Sequence, residues 1–231
     1  MRVALFVTCL ADTLRPSVGR ATVALLERLG VEVAFPRAQT CCGQLHLNAG
    51  YPDVASTLAR RFVEVFAGFD AVVAPSGSRA GHVRTHVAEH ADDPEGVAAR
   101  TFELSEFLVD RLGVTDVGSR FEGSVTYHPT CHSLRTLRLG DRPESLLRAV
   151  EGLDLRPLGE STECCGFGGM FAVRNADVST AMLADKLRRV EESGAGVVCA
   201  CDASCLLHIG GGLERRGSPV RALHLAEVLA S

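Results

Sequence analysis

Glu163-Cys164-Cys165-Gly166 is the stretch on which the fold turns, because the chain also carries it earlier, as Thr40-Cys41-Cys42-Gly43. Each pair follows a lone cysteine in a matching context. Thirty-one residues separate Cys9 of Val7-Thr8-Cys9 from the first pair, and thirty-two separate Cys131 of Pro129-Thr130-Cys131 from the second. After each pair comes a helical stretch and then an apolar strand, Ala71-Val72-Val73-Ala74 in one case and Gly196-Val197-Val198-Cys199-Ala200 in the other. Leu104-Ser105-Glu106-Phe107-Leu108 and Leu225-Ala226-Glu227-Val228-Leu229 close the two series. One offset of about 122 residues relates nearly all of these segments, which marks an internal duplication.

Within each copy, strands and helices alternate. Residues 3–7 are apolar and β-branched, as a buried strand requires, and residues 31–35 read as a second strand. Between them Val18, Ala21, Leu25 and Leu29 recur at helical spacing over residues 17–29, and Gly30 stops that helix. Val54, Leu58, Phe62 and Phe66 define another helix over 53–67, followed by a strand at 71–74. The second copy places strands near 124–128, 154–158 and 196–200. Strands alternating with helices imply a parallel sheet with right-handed crossovers. The expectation is an α/β chain of two tandem Rossmann-like parallel-sheet halves. Gly113, Gly118 and Gly123 cluster near the boundary, giving halves 1–117 and 118–231.

Composition narrows the class. An apolar fraction of 46% over 231 residues is enough to bury a substantial core, and with no Trp that core must be aliphatic. A net charge of −4 with both signs interspersed leaves no basic face for nucleic acid. No apolar run reaches the length of a transmembrane segment. The apolar start, Val3 to Ala11, is interrupted by Asp12 and Arg15 and lacks a small-residue cleavage site. It reads as a first strand, so the chain is expected in the cytoplasm, where thiols stay reduced.

Nine cysteines then need a purpose other than disulfides. A single free cysteine is usually a small core residue, but adjacent pairs followed by glycine, present twice, are not explained that way. The strand ends of an open parallel sheet share one edge, where ligands bind. Cys9, Cys41 and Cys42 fall just after strands of the first half, and Cys131, Cys164 and Cys165 after those of the second. The repeat offset pairs Cys205 in Ser204-Cys205-Leu206 with Arg79 in Ser78-Arg79-Ala80. The second half therefore offers four thiolates and the first offers three with an arginine. Four soft thiolates suit an iron–sulfur cluster or zinc. Helix starts at the same edge favour a ligand of net negative charge. Cys199 reads as core and Cys201 as a spare ligand close to the edge.

These motifs carry a family resemblance. Phe6-Val7-Thr8-Cys9, Cys41-Cys42-Gly43-Gln44, Tyr127-His128-Pro129-Thr130-Cys131, Cys164-Cys165-Gly166-Phe167-Gly168-Gly169 and Ser204-Cys205-Leu206-Leu207 resemble the cysteine-rich CCG domain. That domain occurs in heterodisulfide reductase and in the iron–sulfur components of glycolate and glycerol-3-phosphate dehydrogenases. Over the whole chain the similarity is closer to the lactate utilisation protein A family. The resemblance implies a duplicated Rossmann-like fold, ligation of a 4Fe-4S cluster by the CCG cysteines, and work in an L-lactate-oxidising complex with other iron–sulfur and accessory subunits. Arg79 stands where a fourth cysteine is expected, so the cluster is assigned first to the second half. Where heterodisulfide reductase has a cysteine pair spaced two apart, this chain has Ser76 and Arg79, then Asp202 and Cys205.

The remaining candidates are weaker. His82, His86 and His90 recur at helical spacing and read as an exposed polar face in preference to a metal site. His128, His132 and His208 lie near the cysteines and are expected to hydrogen-bond around them or shuttle protons. Arg79 reads either as an anion holder or as an ordinary surface arginine. No Ser-His-Asp set, dinucleotide fingerprint, flavin motif or ferredoxin-type cysteine run is present. The chain is thus expected to transfer electrons as one subunit of an oxidoreductase, incomplete as a catalyst by itself. Two alternatives stay open: a zinc-stabilised structural subunit, and a thiol–disulfide redox protein using the vicinal cysteines.

Overall fold

The computed structural model describes residues 1–231, the side chain of Ala88 excepted. The first half runs β1 (Arg2–Leu5), α1 (Cys9–Leu14), α2 (Pro16–Arg28), β2 (Glu32–Ala34), α3 (Gln44–Asn48), α4 (Pro52–Phe66), β3 (Ala71–Ala74), α5 (Gly77–His82), α6 (Ala88–His90), β4 (Thr101–Glu103) and α7 (Leu104–Glu106). The second runs β5 (Arg120–Tyr127), α8 (Cys131–Arg135), α9 (Arg142–Arg148), β6 (Glu151–Arg156), α10 (Met170–Arg174), α11 (Ala176–Glu192), β7 (Val197–Ala200), α12 (Ala203–Arg215), β8 (Arg221–His224) and α13 (Leu225–Leu229). A π-helical turn, Val83–Val87, links α5 to α6, and a second, Phe107–Arg111, extends α7.

Each half forms a four-stranded parallel sheet, in the order β2-β1-β3-β4 and β6-β5-β7-β8. The registers match: Val3 lies beside Val33 and Ala71, as Val125 lies beside Leu155 and Val197. The central strands β3 and β7 are buried along their whole length, as expected of a sheet covered by helices on both faces.

The outcome differs from the sequence expectation in its details. Each sheet has a fourth strand, β4 or β8, that runs straight into a closing helix. The strand expected at 154–158 is Glu151–Arg156, and the one expected at 124–128 begins at Arg120.

The halves do not have separate cores. One apolar cluster joins Val3, Leu25 and Val73 of the first half to Val125, Leu146 and Leu229 of the second. The closing helix α13 packs on α2, and α7 packs on α9, so each half is completed by a helix of the other. The same exchange relates α5 with α8 and α12 with α1. Where α5 meets α8, a side chain at Gly77 would stand 1.9 Å from the Ser133 hydroxyl, so only glycine fits without moving Ser133. These contacts bring the cysteine-bearing edges of the two sheets face to face.

Candidate metal centre

The two Cys-Cys-Gly turns have the same construction. Gly43 and Gly166 have φ of +89° and +87°, a left-handed conformation that favours glycine. A Cβ at Gly166 would stand 2.6 Å from the Ser179 carbonyl oxygen. In both turns the glycine N–H points back at the first cysteine of the pair, at 3.5 Å from Cys41 Sγ and 3.4 Å from Cys164 Sγ. The lone cysteines open α1 and α8 and meet the pairs: Cys9 Sγ is 4.0 Å from Cys41 Sγ, and Cys131 Sγ is 3.5 Å from Cys164 Sγ.

The second set is the fuller one. Cys205, in the first turn of α12, completes it, and all four cysteines line one cavity of about 110 Å³. Cys131 and Cys164 are half-buried there, while Cys165 and Cys205 are buried. His128, at the end of β5, is wholly buried. One of its nitrogens lies within 4.8 Å of the sulfurs of both Cys165 and Cys205, and neither nitrogen has a hydrogen-bond partner. An imidazole left like this in a folded core costs free energy unless something fills the space beside it. Burial, then the nearby Lys186 charge, pushes His128 down to about 4, so it is a neutral donor and acceptor. Four thiols and an unpaired neutral imidazole are a donor set that fits a soft metal group.

Thiol acidity is divided unevenly. Hydrogen bonds from Cys131 and Cys165, and then the Gly166 N–H, hold Cys164 well below an ordinary thiol. Donation to Cys164, and then burial, raise Cys131. In the first set the hydrogen bond from Cys41 lowers Cys42. In each half one cysteine of the pair is thus the more acidic thiol, and the thiolate is the form that binds metal.

The first half also reaches into the second half's cavity. Arg79 is buried and donates through Nη1 to Gln44 Oε1 and, at 3.2 Å, to Ser78 Oγ. It lines the same cavity as the second cysteine set; in the first set the hydrogen bond to Cys41 and burial raise Cys9 against the Arg79 charge, while that charge adds to the lowering of Cys42. The surface-arginine reading of Arg79 is therefore wrong. Its place in the first turn of α5 matches that of Cys205 in α12. Gln44 Nε2 donates to the Ser78 carbonyl at 3.2 Å and lies 3.4 Å from His132 Nε2.

Asp202 ties the halves together beside the cavity. It accepts from Ser76 Oγ, from Ser78 N–H and, at 2.7 Å each, from Ser78 Oγ and Thr130 Oγ1. Burial opposes ionisation of Asp202, but these bonds outweigh it and hold the carboxyl below its usual range.

A family model described as "Cysteine-rich domain" matches residues 3–82 and 125–210, two segments that bracket the two cysteine sets. Proteins named lactate utilization protein A match nearly the whole chain. That of Exiguobacterium sp. (strain ATCC BAA-1283 / AT1b) is 49% identical over 98% of this chain and 96% of its own. Those of Bacillus pumilus and Geobacillus kaustophilus are 45% and 46% identical, over 100% of both chains and over 99% and 98% respectively. The chain belongs to the lactate utilization protein A family.

In this member of the lactate utilization protein A family, two other sequence readings change. Cys201 is not a spare ligand: it is wholly buried in the shared core, with its sulfur 3.0 Å from the Tyr127 hydroxyl. Strand alternation carried the signal, since Cys199 and Cys201 point to the face opposite Val198. His82, His86 and His90 do not form one exposed face, because His82 is buried although its ring lies 5.2 Å from that of His86. His82 is buried and donates to the Cys42 carbonyl at 3.2 Å, His86 pairs with Glu89, and His90 meets Ser56. His208 lies against Ser179 Oγ, at 3.4 Å, and the ring of Phe167. Lys186, which sequence reasoning passed over, is buried behind the second Cys-Cys-Gly turn. It falls on the helical stripe Leu183, Lys186, Leu187, Val190, where a charge is out of place.

Proposed function

We propose that this chain is an iron–sulfur-binding electron-transfer subunit of a complex that oxidises L-lactate to pyruvate. The observation that carries the reading is the meeting of Cys131, Cys164, Cys165 and Cys205 at one cavity, with the unpartnered His128 beside them. Those four cysteines would hold the cluster, a 4Fe-4S group in this proposal, and Cys9, Cys41 and Cys42 are the corresponding candidates in the first half. A bound cluster would supply one-electron transfer. The chain's own residues hold the thiolates at the sheet edge, keep His128 neutral, and bring the Arg79 charge to the cavity lining. The substrate comes from the relatives' name, lactate utilization protein A.

Because no flavin or nicotinamide motif is legible, electrons must enter and leave through partner subunits, and the isolated chain should oxidise lactate slowly at best. Deleting the gene should stop growth on L-lactate and leave growth on pyruvate intact. Normal growth on lactate in a deletion strain that lacks any second lactate dehydrogenase would sink the substrate assignment. One observation favours a zinc reading: His128, Cys165 and Cys205 are close enough together to share a single ion. Visible absorption with matching iron and sulfide separates the two.

A further inference from the structure

The duplication provides a control within one molecule. Behind the first Cys-Cys-Gly turn, Gly43 packs against Ala55 and Leu58, as Gly166 packs against Ser179 and Met182 behind the second. That register pairs α4 with α11 and sets Phe62 in the place of Lys186 and Phe66 in the place of Val190. The register of β1 and β5 sets Phe6 in the place of His128. In the first half these positions form an aromatic cluster, with Phe6–Phe62, Phe6–Phe66 and Phe62–Phe66 centroids 5.0, 5.5 and 4.5 Å apart. The second half holds an imidazole and an ammonium in the same space, both buried.

Apolar side chains of similar size therefore satisfy this fold at the equivalent place, and the charge is not needed for packing. Burying an ammonium without a close counter-ion costs several kcal/mol. Lys186 Nζ makes one hydrogen bond, to the Glu160 carbonyl at 3.2 Å. Among the described residues no carboxylate lies within ion-pair distance of it. Burial pushes its pKa down, and of the groups that oppose this, Glu163 is exposed while Cys165 and Cys164 belong to the cavity. The negative partner with standing reason to be there is the thiolate-held group itself.

We propose that the metal group is held once per chain, by Cys131, Cys164, Cys165 and Cys205, with Lys186 as its counter-charge and His128 as its nitrogen partner. The first set, floored by Phe6 and Phe62, holds none. This rests on the metal-binding reading above and adds to it a stoichiometry and two positioning residues. A positive charge behind the thiolates favours the more negative, reduced state of the group, so Lys186 raises its reduction potential.

The test compares the wild-type chain with Lys186→Met, Lys186→Arg and the double variant Cys9→Ser/Cys41→Ser. Metal per wild-type chain is measured first, and a chain without iron or zinc fails the metal-binding reading itself. The proposal expects the double variant to keep its full metal content. It expects metal-free Lys186→Met to melt roughly 4–8 °C above metal-free wild type, since an uncompensated buried charge is gone. In the loaded chain, Lys186→Met should have a more negative midpoint potential or lose metal, and Lys186→Arg should restore the wild-type value. If the metal is zinc, the same comparison is read as metal retention. Two results would overturn the proposal. One is a loss of about half the metal in the double variant. The other is a Lys186→Met chain that is less stable without metal and unchanged in potential and retention with it, which would make Lys186 a structural pin for the turn.

Discussion

At Glu103 the fold holds a carboxyl that water does not reach. One oxygen accepts from Ser105 and from the Glu106 N–H, and the other has no partner. Burial pushes its pKa up to about 7, against hydrogen bonds that would lower it. An acid raised in the folded state binds more protons folded than unfolded. Stability is therefore full below the unfolded value of about 4.5 and falls as pH rises towards 7, by at most about 3 kcal/mol. Glu103→Gln should abolish that slope and melt higher than wild type at pH 8. Parallel pH–stability curves for the two proteins would refute the assignment. At this scale the sequence was informative about cysteines and poor about burial. The offset from Cys205 located Arg79, but nothing in the local sequence says that it is buried against a cavity shared with the other half. His128 was recognised as a neighbour of the site, yet its lack of any hydrogen-bond partner is visible only in three dimensions.

At the scale of elements, the long helices α2 and α4 and the buried strand β3 followed from periodicity, although Val54, expected on the apolar face of α4, is exposed. The fourth strands escaped because they are short and end in residues that also cap the following helix. Glu103 and His224 each form a capping box, with Glu106 and Glu227. A three- or four-residue strand that ends in a cap carries little alternation to read. The closing helices matter beyond their length. Leu229 on α13 is fully buried and belongs to the core shared with Leu25 and Leu26 of α2. Leu229→Ala should cost about 2–5 kcal/mol. The distinctive expectation is its location: amide hydrogen exchange should accelerate in α2 of the first half as well as around α13. Faster exchange confined to the second half would contradict the exchanged-helix packing.

At the scale of the whole molecule, the duplication has produced one body with two unequal edges. The halves meet through the shared core and through Asp202, whose carboxylate is held by donors from both: Ser76 and Ser78 from one, Thr130 from the other. Because its pKa is lowered in the folded state, this contribution is present above the unfolded value near 3.8 and is lost as pH falls below it. Asp202→Asn should destabilise the chain at neutral pH by about 1–3 kcal/mol and flatten the acid limb of its stability curve. It should do so within a single cooperative transition, and two separated transitions would mean that the halves unfold independently. The sequence made the two-sheet architecture legible because duplication repeats every signal. It did not show that the repeats face each other, since no local pattern encodes which helix completes which sheet.

The central claim is that the second cysteine set binds a redox-active iron–sulfur group. The most direct measurement is iron, acid-labile sulfide and zinc per chain in protein purified without oxygen, for wild type, Cys164→Ser and Cys41→Ser. Wild type should contain iron and sulfide in matching amounts, with an electron paramagnetic resonance signal on reduction. Cys164→Ser should lose most of the iron and the signal, and Cys41→Ser should keep both. Stoichiometric zinc in the wild type, or iron and signal that survive in Cys164→Ser, would contradict the account.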